Sequence, residues 1–356
     1  MKRLIDQFVC VRLVKANDLD LTRFQFDYDL TFAVFFANAD GTIYGRYGTR
    51  SSVKDATREM TLAGLAKSMA AALTLHKRYP ANKKFLAGKQ PVEVKFKKPS
   101  DYPSLRGKIA KSLNYQGAVT KSCLHCHQVR DAERQIFRDA GKPIPDELLF
   151  PQPSPQVIGL SFDPRERATV SRVEQESVAA RAGVRSGDRL LTLGGQAILS
   201  QADVQWVLHN TRSSAELRAV MQRGDRIVRP TIKLSEGWRR HSDISWRVTS
   251  WPLRRMVTGG LLFTPATKVQ RHTAGVSDDS LALTVKHVGQ YGPHAAAKRA
   301  GFKKGDLIVS YSGIRKAMSP SELLSYGVQN TKPGQRVEVT VVRNGKRLKL
   351  KLPMQK

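Results

Sequence analysis

The sequence predicts a multidomain chain of mixed α/β and α+β class, and three observations carry that expectation. A pattern A-G-x-x-x-G-D-x-[LI] occurs twice, from Arg181 to Leu190 and from Arg299 to Ile308. Nearer the N-terminus, two apolar runs flank an Asn38-Ala39-Asp40-Gly41 turn and are followed by a helical pattern. Between these regions Cys123, Cys126 and His127 form a C-x-x-C-H segment. At 356 residues with 40% hydrophobic content the chain has room for two to four domains with cores of their own.

Charge is the compositional outlier. Lys and Arg number 60 against 30 Asp and Glu, a formal net charge of +30. Such a balance attracts anionic partners such as nucleic acid, acidic proteins or lipid headgroups. The basic residues are spread along the whole length, which favours a solvated, salt-screened surface over a nucleic-acid interface. No apolar run is long enough for a transmembrane segment. The run after Met1 is broken by Asp6, Gln7 and Arg12, so no signal peptide is present in this chain.

In chain order, residues 8–14 are β-branched and apolar and predict a buried strand, with Cys10 as a core thiol. Residues 30–36 and 42–48 predict a hairpin about the Asn/Asp-Gly turn. Leu62, Leu65, Met69, Leu73 and His76 recur at helical spacing, and Tyr79-Pro80 ends that helix. Residues 77–121 are basic and broken by prolines, as between Pro91 and Pro99, and read as a linker or solvated excursion. A helix is expected from Val129 to Ala140, and the prolines at 143, 145, 151, 153 and 155 mark a boundary.

Three chemistries use C-x-x-C-H. In a c-type haem, Cys123 and Cys126 anchor the porphyrin through thioethers and His127 ligates the iron. In a zinc site the same three residues ligate the metal and a fourth ligand comes from elsewhere. A redox dithiol needs its first cysteine at a helix N-terminus after a buried strand, and residues 116–122 are no convincing strand. Zinc usually shows a second ligand pair, and outside the cluster no Cys or His lies between 77 and 208, so haem c is expected and zinc is the alternative. No methionine lies between Met69 and Met221, which leaves His76, His209 and His241 as candidate distal ligands.

The repeated glycine–aspartate pattern resembles the PDZ family. There a short helix ends at the first glycine (Gly183, Gly301), and a second glycine with its aspartate (Gly187-Asp188, Gly305-Asp306) starts the next strand. Each copy also carries what looks like that family's carboxylate-binding loop, at Gly159, Leu160 and Phe162 and at Gly260, Leu261 and Phe263. The resemblance implies docking of protein C-termini or internal peptides, with groove helices near 201–209 and 320–326. Between the copies, Trp238, Trp246 and Trp251 lie among Arg and His and read as an interdomain brace.

The hairpin and following helix resemble the second half of a thioredoxin-like fold whose opening strand and redox motif are absent from this chain. Together these parts resemble a bacterial family of thioredoxin-like/PDZ proteins, some of them selenoproteins. A selenocysteine codon misread as a stop would place Met1 after the missing motif. The expected organisation is residues 1–80 thioredoxin-like, 81–155 a basic linker with the C-x-x-C-H segment, 156–235 the first PDZ domain, 236–257 a Trp/Arg segment and 258–356 the second PDZ domain. The expected function is a periplasmic or otherwise extracytoplasmic redox or electron-transfer protein that docks partners through its PDZ domains. The competing expectation is a non-enzymatic scaffold whose C-x-x-C-H is structural. No catalytic residue is assigned, because no Gly-x-Ser-Gly-Gly segment with accompanying His and Asp precedes the repeats.

Overall fold

The computed structural model describes residues 1–52, 58–89, 93–110, 112–117 and 119–356. Pro91, and Ala118 in the stretch before Cys123, therefore lie outside the described residues. The chain forms two compact units, one made of Met1–Cys126 and Phe150–Ser242, the other of His127–Leu149 and Asp243–Lys356.

In the first unit β1 (Val34–Ala37) and β2 (Ile43–Tyr47) form the expected antiparallel hairpin, with Val34 opposite Tyr47. Gly41 takes φ +86°, and Asp40 accepts from the Thr42 amide, which closes the turn. The helix Leu62–His76 is capped by Thr61, whose hydroxyl accepts from the Gly64 amide. Its buried face differs from the expected one. Leu62 is 75% exposed, and Gly64, Ser68 and Ala72 face inward at spacings of four. Close approach explains the small residues: a Cβ on Gly64 would lie 2.3 Å from the Pro164 carbonyl oxygen.

Residues 8–14 form no strand. Val9 is 94% exposed and Cys10 is also exposed, which corrects the buried strand and the core thiol. A β-branched run becomes a buried strand only where a neighbour pairs with it and covers it, and none does here. The basic stretch 81–155 is also not a solvated linker throughout. Leu86, Lys89, Tyr102, Leu105, Ile144, Leu149 and Phe150 within it are all buried.

The rest of the first unit holds the first repeat. β3 (Leu160–Phe162) pairs with β4 (Val170–Val173), and β5 (Arg189–Leu193), β6 (Gln196–Ala197), β7 (Ala215–Arg223) and β8 (Arg226–Val228) form a second sheet. β9 (Thr231–Leu234) pairs with β7. The helix Gln201–His209 packs Val204, Val207 and Leu208 against a core that includes Leu160, Leu190, Ala219, Met221 and Trp238.

In the second unit β10 (Leu261–Pro265), β11 (Leu283–Val288), β12 (Leu307–Tyr311), β13 (Arg336–Arg343) and β14 (Lys346–Pro353) form one antiparallel sheet in sequence order. The helices Ser250–Thr258 and Pro320–Asn330 pack on one another, with Val257 against Gly327. The helix predicted over 129–140 spans His127–Asp139 and presents Arg130, Arg134 and Arg138 on one buried stripe. Arg134 donates to the carbonyls of Leu148, Leu149 and Thr249, and Arg138 to those of Thr331, Met256 and Gln355. These charges are solvated by backbone oxygens instead of water, which lowers the cost of burying them.

The tryptophan segment divides between the units. Trp238 joins the first unit's core and donates its indole N–H to the Arg212 carbonyl, whereas Trp251 packs edge-on against His294 in the second.

Candidate peptide-docking sites and the C-x-x-C-H segment

The two glycine–aspartate motifs are built alike. Asp188 accepts from the Arg185 amide and forms a two-pronged pair with Arg223, at 2.7 Å to each carboxylate oxygen. Asp306 accepts from the Lys303 amide and pairs with Arg343 at 2.6 and 2.7 Å. Each arginine also donates to the carbonyl of the glycine that ends the short helix, Gly183 or Gly301. Gly187 (φ +87°) and Gly305 (φ +91°) supply the left-handed turn before each aspartate. The aspartates are thus structural clamps that tie a helix end to the far hairpin. The arginines, missed from the sequence, share a signal: each ends a strand at a two-residue hairpin turn, Gly224-Asp225 or Asn344-Gly345.

The two segments expected to be carboxylate-binding loops each lead from a glycine into a sheet-edge strand. Gly159 (φ +83°) ends a 3-10 turn, and its carbonyl accepts from the Glu174 amide. Bonded and non-bonded pairs alternate in an antiparallel ladder, so the next pair, Leu160–Val173, is non-bonded. The amide and carbonyl of Leu160 accordingly face the other edge of β3, which has β4 as its only paired strand among the described residues. The second loop repeats this. Gly289 donates to the Gly260 carbonyl, the next pair is Leu261–Val288, and β10 is a sheet edge. Gly260 has φ +91°, and a Cβ there would lie 2.0 Å from the His294 carbonyl oxygen, so only glycine fits. Phe162 and Phe263 point into their cores.

Positive charge stands behind the second loop. Arg254, whose carbonyl accepts from the Gly260 amide, is lowered to about 10 by burial. His294, whose carbonyl lies against Gly260, is pushed below the usual histidine range by burial and by the charges of Arg255 and Arg254.

Residues 156–234 and 268–354 match the PDZ domain family. The chain carries two PDZ domains. No curated protein matches the chain. Among solved structures it is similar to the HtrA-type protease AlgW with a tripeptide, at 24% identity over 27% of this chain and 30% of that one, with a TM-score of 0.22. It is also similar to AlgW with a decapeptide, at 16% identity over 39% of this chain and 48% of that one, with a TM-score of 0.25. The chain spans less than half the length of these structures.

Within C-x-x-C-H, Cys123 and Cys126 end one compact unit and His127 opens the other. Both cysteines are free thiols, and burial together with Cys123 pushes the Cys126 thiol up. Leu124 between them is buried, and its amide donates to Asn17 Oδ1 at 2.7 Å. Asn17 also donates to the Ala110 and Ser122 carbonyls, so one buried amide fixes the loop that carries the thiols. His127 starts its helix with Nδ1 3.5 Å from Asp131 Oδ2, one turn on. Two thiols and an adjacent imidazole are the side-chain types that thioether attachment and axial ligation of a haem c would use. Among the described residues no three of His, Cys, Asp and Glu come together as a metal-binding group, Cys123, Cys126 and His127 included. Of the candidate distal ligands, His76 Nδ1 is bonded to the Tyr44 hydroxyl at 2.8 Å and His209 Nδ1 accepts from the Gln152 amide.

Proposed function

We propose that this chain is a docking protein that takes extended peptides with a free C-terminal carboxylate at a PDZ domain. The observation that carries the reading is the outward-facing amide of an edge strand directly after a glycine-only loop, at Leu160 and again at Leu261. Such an edge adds a peptide as one more strand, and the loop's N–H groups receive its terminal carboxylate. Arg254 and Arg255 near the second loop add electrostatic attraction for that group. The test is binding of labelled peptides with a free C-terminus against the same peptides amidated.

We further infer that the docked partner is presented to a c-type haem held by thioethers from Cys123 and Cys126, with His127 as axial ligand. The His127–Asp131 contact favours this over a purely structural C-x-x-C-H. When bound, the haem supplies one-electron chemistry, which makes the whole an electron-transfer protein. The thioredoxin-like likeness of the hairpin and helix belongs to this same reading, as does a periplasmic or other extracytoplasmic location, where haem is attached to thiols. A pyridine haemochrome spectrum of protein matured outside the cytoplasm should show the covalent c-type band. A colourless product overturns the haem assignment and leaves the docking reading standing.

A further inference from the structure

We propose that the first PDZ domain is closed to foreign peptides because the chain's own residues 44–49 and 88–89 seal its groove helix, which leaves the second domain as the docking site. The inference rests on the peptide-docking reading above.

A helix that lines an open groove shows one face to solvent. In the helix Gln201–His209 every residue from 202 to 208 is buried. Three different surfaces cover it. Val204, Val207 and Leu208 face the domain's own core. Asp203 and Trp206 face the N-terminal region. Asp203 accepts from the Arg46 amide and pairs with Lys89 at 3.1 Å, while the Trp206 indole donates to the Gly88 carbonyl beneath the Arg46 guanidinium, 3.8 Å from the ring. Gln201 and Gln205 face Thr49, which exchanges hydrogen bonds with both, and Gln205 also donates to the Gln152 carbonyl. Nothing is left for a foreign chain.

The far end of the groove is crossed as well. A peptide with its carboxylate at Gly159 and its backbone antiparallel to β3 would run outward past Pro164. There Thr61 donates to the Pro164 carbonyl at 2.7 Å, and two turns along the same helix Ser68 donates to the Leu199 carbonyl at 3.0 Å, just before the groove helix. The helix Leu62–His76 therefore spans from the end of β3 to the start of Gln201–His209. A backbone can lie this close only because position 64 is glycine.

The second domain is different. In its helix Pro320–Asn330, Glu322 and Tyr326 keep partial exposure and Asn330 is exposed, a stripe at spacings of four that stays open, while Gln329 beside it donates to the Ile144 carbonyl and to Asp146.

The experiment uses the full chain and a library of benzophenone-bearing decapeptides with free C-termini, with adducts mapped by mass spectrometry. The wild-type chain should be labelled within 261–265 and 320–330, and not within 160–162 or 201–209. Lys89→Ala should raise labelling of 201–209 at least tenfold. Thr49→Val, which cuts the contacts to Gln201 and Gln205 alone, should raise it to a smaller degree. Labelling of the first domain in the wild type overturns the seal and leaves docking intact. No labelling of either domain in any variant overturns the docking reading. Hydrogen exchange tests the seal without peptides: amides of 201–209 should exchange at least tenfold faster in Lys89→Ala while those of 307–311 do not change. Unchanged exchange at 201–209 overturns the proposal.

Discussion

Lys89 Nζ lies 3.1 Å from Asp203 Oδ1 with neither side chain exposed to solvent. The ammonium also donates to the Tyr44 carbonyl at 2.6 Å, and Asp203 accepts from the Leu199 amide at 2.8 Å. A buried pair of this kind is costly to break, since the remaining charge is left without water or a paired counter-charge.

Lys89→Ala should therefore destabilise the first unit by about 3–5 kcal/mol. Lys89→Met combined with Asp203→Asn should recover about 1–2 kcal/mol of that, because no charge remains and the amide oxygen still accepts a backbone N–H. Urea denaturation followed by tryptophan fluorescence measures both. Burial lowers the Lys89 ammonium to about 8, below its value in the unfolded chain. The folded state then binds fewer protons than the unfolded state between pH 8 and 10, so the stability of the first unit should rise with pH across that window. Lys89→Met should flatten the slope.

The aspartate–arginine clamps predict matched losses in the two domains. Arg223→Ala and Arg343→Ala each remove a two-pronged charged hydrogen bond and should each cost about 1.5–3 kcal/mol. The hydrogen bonds from Arg223 and the Arg185 amide outweigh burial and lower the Asp188 carboxyl. Its stabilising contribution is complete above the unfolded carboxylate value and is lost as pH falls through the lowered one. Acid titration of Arg223→Ala should show a shallower loss than the wild type.

Two glycines with the same φ of +91° should respond differently to alanine. At Gly305 a Cβ meets nothing within 4 Å, so the cost is backbone strain alone, about 1 kcal/mol. At Gly260 the Cβ runs into the His294 carbonyl, so Gly260→Ala should cost well over that and displace the loop. Thermal unfolding of the two variants ranks them.

The thiols should separate by exposure. Cys10 is exposed, whereas Cys123 and Cys126 are partly covered and the Cys126 thiol is raised. In cofactor-free protein a maleimide at neutral pH should modify Cys10 first, with peptide mass spectrometry reporting the order. Faster modification of Cys126 would contradict the placement of residues 8–14.

Much of this organisation is legible in the sequence. Glycines at positive φ announce turns without help from distant residues, which is why the turns at Gly159, Gly187, Gly260 and Gly305 are found by inspection. The helix Leu62–His76 is likewise marked by its period and by the Tyr79-Pro80 that follows it. What escapes is whatever depends on a distant partner. Residues 8–14 have strand composition but no strand to pair with. Lys89 sits in a basic stretch that reads as solvated, and only the fold brings Asp203 to it. Arg134 and Arg138 look like a charged surface face until backbone carbonyls from Thr249, Thr331 and Gln355 are seen around them. Local chemistry is readable, and long-range compensation is not.

The central claim is that a PDZ domain of this chain holds a peptide by its terminal carboxylate. Fluorescence anisotropy of decapeptides selected from a free-carboxylate library, each measured beside its C-terminal amide, tests it most directly. The account predicts at least tenfold weaker binding of every amide, about 1.4 kcal/mol or more, at one site per chain. Equal affinity of acid and amide would contradict it.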